Sequence, residues 1–344
     1  MRRAQLLLVL LALLSGPLVL LAAEKEAPKE NPVAWGYVRG EAYVTLRPGG
    51  RAAAPAPERE AEESEGLEAA KALGRRAGPV RVGRGTLLPI LKWEDKKGAR
   101  WARVRAVNLD YLEPINGWIE SSQIEEVGLA KFPTDAALLR LLGGDFLDDY
   151  AFRHTQVVRF LVQQGSAGPA LICFLTAPVM ANARLVAFLP VSGQMVPGPS
   201  VEFPAAEIQA GITMAEVRDL LGDGNECLIT REPFRVAFGT RGANEVVRRV
   251  EGSEFQVLWE APLEFRSLDM YPARVKVLQP PEKNIGQPGT VTKGEVTFRQ
   301  HGSIYEPVWK GKVEFYVPGR EEPVQSVPVE KVCPWDGAKF QPLP

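Results

Sequence analysis

Few side chains in this sequence could act as a nucleophile, a general base or a metal ligand. The chain has two histidines, His154 and His301, and three cysteines, Cys173, Cys227 and Cys333. His154 stands at the start of a strand-like run and His301 lies in the turn FRQHGS, so both are predicted to be surface residues. A cysteine–histidine nucleophile would need one of them beside a cysteine in space, and no CxxC or other zinc-ligand spacing occurs. The sequence therefore predicts neither a zinc site nor an activated thiol.

Acid–base chemistry has one candidate cluster, formed by Asp145, Asp148 and Asp149. Paired carboxylates can serve as general acid and base, but these three follow a Gly–Gly pair at the end of a predicted short helix. A solvated helix exit is the simpler interpretation. No G-x-S-x-G, H-E-x-x-H, P-loop or Rossmann fingerprint is present. We therefore expect a protein that is not an enzyme, with a hydrolase of unrecognised site as the alternative.

The cysteines also bear on disulfide formation. Cys173 lies within the apolar run ALICFL and is predicted to be a buried small hydrophobe, whereas Cys227 and Cys333 lie in polar, loop-like stretches. Three cysteines allow at most one intramolecular disulfide, and Cys227 with Cys333 is the candidate pair. The bond would close a loop of about 107 residues, which the chain-entropy model values at about 4–5 kcal/mol.

The N-terminal sequence predicts export. Arg2 and Arg3 precede an apolar run over residues 6–23 that a Gly–Pro pair interrupts. This is the pattern of a signal peptide, and the run is short for a membrane-spanning helix, which needs about 20 apolar residues. Cleavage before the polar linker 24–32 is therefore predicted, with a secreted or periplasmic location. An uncleaved segment would instead anchor the protein in the membrane.

The charge balance excludes one class of partner. Removal of residues 1–23 takes away two arginines and no acid, so the formal net charge goes from −1 to about −3. Nothing in that balance attracts nucleic acid. The remaining chain of about 320 residues is long enough for two domains, and the apolar content of 45% is sufficient for a core in each.

Residues 33–127 alternate short β-like runs with turn residues, namely WGYVRGEAYVTLRPGG, GTLLPILKW, ARWARVRAV and NGWIESSQI. Such runs predict strands, and five short strands in so small a span predict a closed barrel. Residues 52–78 interrupt the pattern with an Ala-, Pro- and Glu-rich stretch. Its low hydrophobicity and dense charge predict a solvated inserted loop.

This pattern resembles the bacterial SH3-like (Src-homology-3-like) domain. The matching residues are Gly36, Val38, Leu46–Gly49, Gly85–Leu88, Trp101, Val104 and Gly117–Ile119. Thr45 stands where that family has asparagine, and the inserted loop is a second departure. The resemblance implies binding of cell-wall peptides or of other envelope proteins. The candidate ligand-binding residues are aromatic side chains that flank loops: Tyr43, Trp93 and Tyr111.

Residues 130–344 predict a larger, antiparallel β-rich domain with few short helices. A joint around Pro133 leads into PTDAALLRLLGG, a short helix with Thr134 as N-cap and Gly143 beyond its end. Ten strand-like runs follow, separated by Gly, Pro and Asn at spacings typical of antiparallel sheets. The fold class predicted for the chain is therefore mainly β, with a small SH3-like barrel followed by this larger domain.

The stretch ITMAEVRDLLGDGNECLIT permits two interpretations. In the first, Thr213 and Glu216 form a capping box and residues 213–222 are helical, which would resemble an element of small outer-membrane assembly lipoproteins. In the second, favoured because strands dominate on both sides, residues 205–265 resemble a single degenerate FG-GAP (integrin-type propeller) repeat. Two strands would then flank the glycine loop. The ending CPWDGAKFQPL is similar to the strand that closes exported proteins carrying such loops.

The FG-GAP resemblance implies a calcium loop at 219–227. Its ligands would be Asp219, Asp223 and Asn225, whose oxygen atoms are the donors a hard cation prefers. Leu221 and Cys227 replace two of the expected oxygen donors. The alternative is a glycine turn whose carboxylates accept hydrogen bonds from backbone amides.

These observations predict an exported, non-catalytic binding protein of the cell envelope, whose SH3-like domain binds a cell-wall component or a protein partner. An assembly or structural factor of the outer envelope is the alternative if residues 213–222 are helical. The sequence is silent on the identity of the ligand and on the oligomeric state.

Overall fold

A computed structural model describes residues 32–48, 79–96, 98–109, 113–128, 132, 135, 138, 156–177, 182–203, 212–235, 240–267, 277–317 and 320–343. In these ranges nearly all regular structure is β-strand, and every strand pairing is antiparallel. Short 3-10 turns lie at Ser121–Gln123, Gly165–Ala167 and Pro281–Asn284. The prediction of a mainly β, antiparallel chain is confirmed.

The first sheet has nine strands. They are β1 (Ala34–Val38), β4 (Thr86–Lys96), β5 (Ala99–Asn108), β6 (Glu113–Glu120), β7 (Ile124–Val127), β8 (Gln156–Gln163), β9 (Pro169–Ala177), β10 (Asn182–Val191) and β11 (Gln194–Phe203). The strand order is β11-β10-β9-β8-β4-β1-β7, with β5 on β4 and β6 on β5. The strands β2 (Ala42–Val44) and β3 (Val80–Val82) form a separate two-stranded sheet.

The second sheet has seven strands in chain order. They are β12 (Met214–Arg218), β13 (Cys227–Arg235), β14 (Arg241–Glu251), β15 (Glu254–Arg266), β16 (Thr290–His301), β17 (Ile304–Phe315) and β18 (Gln325–Val332). The sheet curls so that the start of β17 approaches the end of β12. The amide of Tyr305 in β17 donates to the carbonyl of Leu220, just after β12, at 2.7 Å. Over the described ranges neither sheet closes into a barrel.

Side-chain alternation explains the strands of the first sheet. In β5 the residues Ala102, Val104 and Ala106 are buried, and the residues between them are partly exposed. Successive side chains of a strand point to opposite faces, so one face of β5 lines a core and the other meets solvent. The same core receives Ile90 from β4 and Ile119 from β6.

One indole fills the core of the second sheet where two of its strands diverge. The β15–β16 ladder covers only three residue pairs, from Glu264↔Lys293 to Arg266↔Val291. Beyond them Trp309 of β17 is fully buried, and its Nε1 donates to the carbonyl of Pro262 in β15 at 2.8 Å. A Cβ at Gly294 would lie 2.4 Å from the Trp309 ring, so only glycine fits there. The Trp309 indole therefore fills the space where β15 and β16 no longer form backbone hydrogen bonds.

The two sheets are in contact near β4. Residues Thr86 and Leu87 of β4 pair with β8, and the amide of Val217 in β12 donates to the carbonyl of Arg84 at 2.9 Å. The predicted parts 33–127 and 130–344 therefore share backbone hydrogen bonds. The division of the chain at residues 128–130 stays a prediction.

Residues 214–218 are a strand, followed by an irregular turn and then β13. The two-strand interpretation of this stretch agrees with the structure, and the helical interpretation is wrong. Ala215 and Val217 are buried while the residues between them are partly exposed, which is the alternation of a strand. The capping-box pattern is overridden by this tertiary burial.

No helix in the described part of the chain is long and apolar enough to span a membrane.

Candidate functional site

The solvent face of β4, β5 and β6 carries a row of cations and indole rings. The alternation of β5 turns Trp101, Arg103 and Arg105 away from the core. Arg103 lies opposite Lys92 of β4 on one side and opposite Trp118 of β6 on the other. We refer to these five residues as the cationic–aromatic face. A register shift of β4 between residues 90 and 92 brings the lysine into this row.

Cations stack on two indole rings in this region. The Lys92 ammonium lies 5.1 Å from the centroid of the Trp118 ring, and the Arg100 guanidinium lies 4.1 Å from that of Trp93. Such contacts contribute about 0.5–1 kcal/mol at exposed sites. The Lys92 ammonium is also 3.3 Å from a carboxylate oxygen of Glu94. The lysine head group is therefore held over the sheet surface.

The face carries three cations, and the carboxylates of Glu94 and Glu120 flank Trp101 at one end of it. Like charges directly opposite each other destabilise a sheet, and Lys92 and Arg103 are such a pair. Arg105 adds a third cation two residues further along β5, about 7 Å away. A guanidinium recognises a carboxylate or phosphate through two parallel hydrogen bonds. The neighbouring Trp118 indole offers a flat ring whose negative face attracts polarised C–H groups.

The structure does not bring the predicted ligand-binding residues into one site. The hydroxyl of Tyr43 in β2 donates to Glu41 at 2.7 Å. This hydrogen bond raises the pKa of Tyr43 and lowers that of Glu41. Trp93 packs against the core of the first sheet beneath Arg100, and Tyr111 lies outside the described residues. Sequence reasoning did not identify Lys92, Arg103 and Arg105 as candidate binding residues. The alternation WARVRA in β5 indicates that Trp101, Arg103 and Arg105 share one face.

The carboxylates of the predicted calcium loop accept hydrogen bonds from backbone amides. The two oxygens of Asp219 accept the N–H groups of Gly222 and Gly224, at 2.7 and 3.0 Å. Asp223 accepts the N–H of Asn225 at 2.9 Å and a hydrogen bond from the Arg249 guanidinium at 2.9 Å. The arrangement is that of the alternative, a capped glycine turn. In the described ranges no cluster of three or more His, Cys, Asp or Glu side chains is arranged to hold a metal ion.

The same loop joins distant parts of the fold. The carbonyl of Gly224 accepts the amide of Gly165, in the turn after β8, at 3.1 Å. Gly222 has a positive φ of 66°, and a Cβ there would lie 2.6 Å from the carbonyl oxygen of Ser303 in the β16–β17 turn. Glycine is therefore required by both its conformation and the close approach. The loop has a structural role that its composition alone does not reveal.

All three cysteines are buried free thiols. Burial raises the pKa of Cys173 and of Cys227 to about 12 each, and it raises the pKa of Cys333 as well. Reactive cysteines have a lowered pKa and some exposure, so these thiols have the opposite properties. The prediction of polar, loop-like surroundings for Cys227 and Cys333 is wrong, because both side chains lie in the core of the second sheet. The predicted disulfide between them is not formed in the structure.

The remaining candidate residues form no reactive group. His301 is 76% exposed, with Nδ1 3.2 Å from a carboxylate oxygen of the buried Glu306. Its predicted surface position agrees with this exposure. His154 and the carboxylates Asp145, Asp148 and Asp149 lie outside the described residues.

One buried carboxyl has an unusual environment. Glu245 of β14 is 4% exposed and lies opposite Arg231 of β13. Burial raises the pKa of Glu245 to about 7, against the favourable charge of Arg231, and nearby Glu216 raises it further. The group is therefore partly protonated near neutral pH.

No protein-family model matches this chain, and no curated protein matches it.

Proposed function

We propose that this chain is an exported, non-catalytic protein of the cell envelope, secreted or periplasmic, that binds an anionic envelope component through the cationic–aromatic face. The single observation that carries the proposal is the opposition of Lys92 and Arg103 in the β4–β5 ladder, beside the Trp118 ring. The signal-peptide pattern of residues 1–23 supports export.

We further propose that residues 33–127 are an SH3-like domain. In support, strands β1 to β6 and Ile124 of β7 contribute to one hydrophobic core, which contains Val38, Val44, Val82, Val104 and Ile119. The bridge between Thr45 and Trp118 connects the end of β2 to β6. The motif residues Trp101 and Trp118 both belong to the cationic–aromatic face. By this proposal the partner is a cell-wall component or an envelope protein with exposed carboxylates or phosphates.

Co-sedimentation with purified cell-wall material tests the proposal. The chain without residues 1–23 is expected to pellet with the cell wall, and a rise in salt from about 50 to about 500 mM is expected to release it, because salt screens exposed charges. The double variant Lys92→Glu with Arg103→Glu is expected to bind at least tenfold more weakly.

The matched control makes the same charge change elsewhere. Lys310→Glu with Lys339→Glu alters two exposed lysines of the second half of the chain and is expected to bind normally. Failure of the unaltered chain to pellet with any envelope fraction would rule out the proposed function. Equal loss of binding in both double variants would show that the net charge matters and the face does not.

A further inference from the structure

The outer edge of β16 is open over eight of the twelve residues of the strand. Residues 294–301 pair with β17 on one side, and the ladder to β15 ends at Lys293. The facing edge of β15 is covered, because its Leu258 carbonyl accepts the Phe340 amide at 2.9 Å and its Pro262 carbonyl accepts the Trp309 indole. The edge of β16 has no such cover among the described residues.

The direction of the backbone groups follows from the register. The amide of Tyr316 donates to the carbonyl of Gly289, so odd-numbered residues of this strand bond toward β17. Because bonding alternates along an antiparallel strand, Val296, Phe298 and Gln300 direct their N–H and C=O groups away from β17. Between residues 294 and 301 no backbone hydrogen bond to β15 is formed. Three successive donor–acceptor pairs thus face outward.

Four other edge strands are protected against pairing with another chain. Strand β11 contains Pro197 and Pro199, and β18 contains Pro328, each of which removes a donor. Strand β12 is tied to the first sheet through Val217, and β7 has only four residues. Natural proteins protect their edges in these ways. The open part of β16 carries no proline and is eight residues long.

We propose that this edge pairs with the same edge of a second copy of the chain, antiparallel, across a two-fold axis at Phe298. Val296 then lies opposite Gln300 of the second copy, and Phe298 lies opposite its own symmetry mate. These three hydrogen-bonded pairs exchange about six backbone hydrogen bonds, two for each pair. The contact is isologous, the commonest arrangement in homodimers.

Charge and strand length select this register. With the axis at Phe298, the exposed Glu295 lies opposite His301 of the second copy, and Thr297 lies opposite Arg299. An axis at residue 296 would set Lys293 against Arg299, and like charges directly opposite each other destabilise a sheet. An axis at residue 300 would set Phe298 against Gly302 in the β16–β17 turn, so only the pair at Gln300 would remain hydrogen-bonded. Shifts by one residue would turn the bonding groups away from each other.

Sedimentation velocity of the chain without residues 1–23, from about 1 to about 300 µM, tests the pairing in the range expected of a small interface. A concentration-dependent dimer is expected. Gln300→Pro removes an outward donor without removing a bond to β17, and Glu295→Lys sets a cation diagonal to Arg299 of the second copy. Each is expected to weaken the dimer at least tenfold. The control Glu126→Lys makes the same charge change on exposed β7 and is expected to dimerise normally.

Hydrogen exchange supplies a second readout. The amides of residues 296, 298 and 300 are expected to gain protection as concentration rises, while those of 297 and 299 are protected throughout. A chain that stays monomeric at the highest concentration overturns the proposal. So does a dimer that Glu295→Lys and Gln300→Pro leave unchanged, or one that protects a different edge. If Gln300→Pro fails to fold by circular dichroism, Glu295→Lys decides.

Discussion

Arg84 and Glu226 form an ion pair at the contact between the two sheets, with the guanidinium nitrogen 3.0 Å from the carboxylate Oε1. Glu226 is 5% exposed, and its Oε2 accepts the backbone N–H of Gln163 at 2.9 Å. One buried carboxylate therefore connects the turn before β4, the end of β8 and the entry to β13.

Glu226→Ala is expected to lower the free energy of unfolding by about 2–3 kcal/mol, since it removes charge-assisted hydrogen bonds and leaves the Gln163 amide without its acceptor. Urea denaturation measures the change. Arg84 is partly exposed, so the loss is smaller than for a fully buried ion pair. As a control, Glu125→Ala breaks an ion pair with Arg39 whose side chains are 59% and 61% exposed. A loss of stability in Glu125→Ala as large as that in Glu226→Ala would contradict this account.

Glu245 predicts a fall in stability between acid and neutral pH. Its folded pKa of about 7 lies above the ordinary value of 4.5, so the folded state binds the proton more tightly than the unfolded state. The free energy of unfolding therefore decreases as pH rises from about 4.5 to about 7, by about 1.4 kcal/mol per pKa unit. Glu245→Gln is expected to stabilise the protein by about 2–3 kcal/mol near pH 8 and to change little near pH 4.

Urea denaturation at those two pH values measures the effect of Glu245→Gln. The exposed Glu254 at the start of β15 offers the control Glu254→Gln, which is expected to leave the pH profile unchanged. Equal stability of Glu245→Gln and the unaltered chain at the higher pH would show that the Glu245 carboxyl is solvated.

The glycine loop is expected to be stable without calcium. Asp219→Ala removes the acceptor of two backbone amides and is expected to cost about 1–3 kcal/mol in the free energy of unfolding. Calcium or a chelator, at about 5 mM, is expected to shift the thermal midpoint of the unaltered chain by less than about 1 °C, because a ligand stabilises only the state that binds it. Differential scanning calorimetry measures both. A calcium-dependent rise that Asp219→Ala abolishes would instead establish the calcium site.

Thiol titration tests the state of the cysteines. In the native protein an aromatic disulfide reagent is expected to label none of the three buried thiols over several minutes, and after denaturation it is expected to label all three. Dithiothreitol is expected to leave the thermal midpoint unchanged. Labelling of a single thiol in denatured, unreduced protein would demonstrate a disulfide and favour the pairing of Cys227 with Cys333.

Local patterns predicted the strands well where alternation was strong. In β5 the order of Trp101 to Ala106 gives both the strand and its buried face, because each small residue is followed by a large or charged one. The divergence of β15 from β16 could not be predicted in this way. It depends on Gly294, Trp309 and Pro262, which meet only after the sheet has curled.

The candidate site shows the same limit. Trp101 and Trp118 belong to the SH3-like sequence pattern, but the row that contains Lys92 depends on a register shift in β4. Register is a property of two strands together, and a single run of residues does not specify it. The burial of Cys227 and Cys333 was likewise invisible, since polar neighbours in sequence are not neighbours in the folded core.

The glycine loop at 219–226 couples the unfolding of the two sheets. Its residues bond to the turn after β8 through Gly224 and to the start of β17 through Leu220. Heating that loosens one sheet therefore removes supports of the other, and we expect a single cooperative calorimetric peak. A protease that cuts this loop would remove supports of both sheets, so cleavage at this one segment is expected to destabilise the whole molecule.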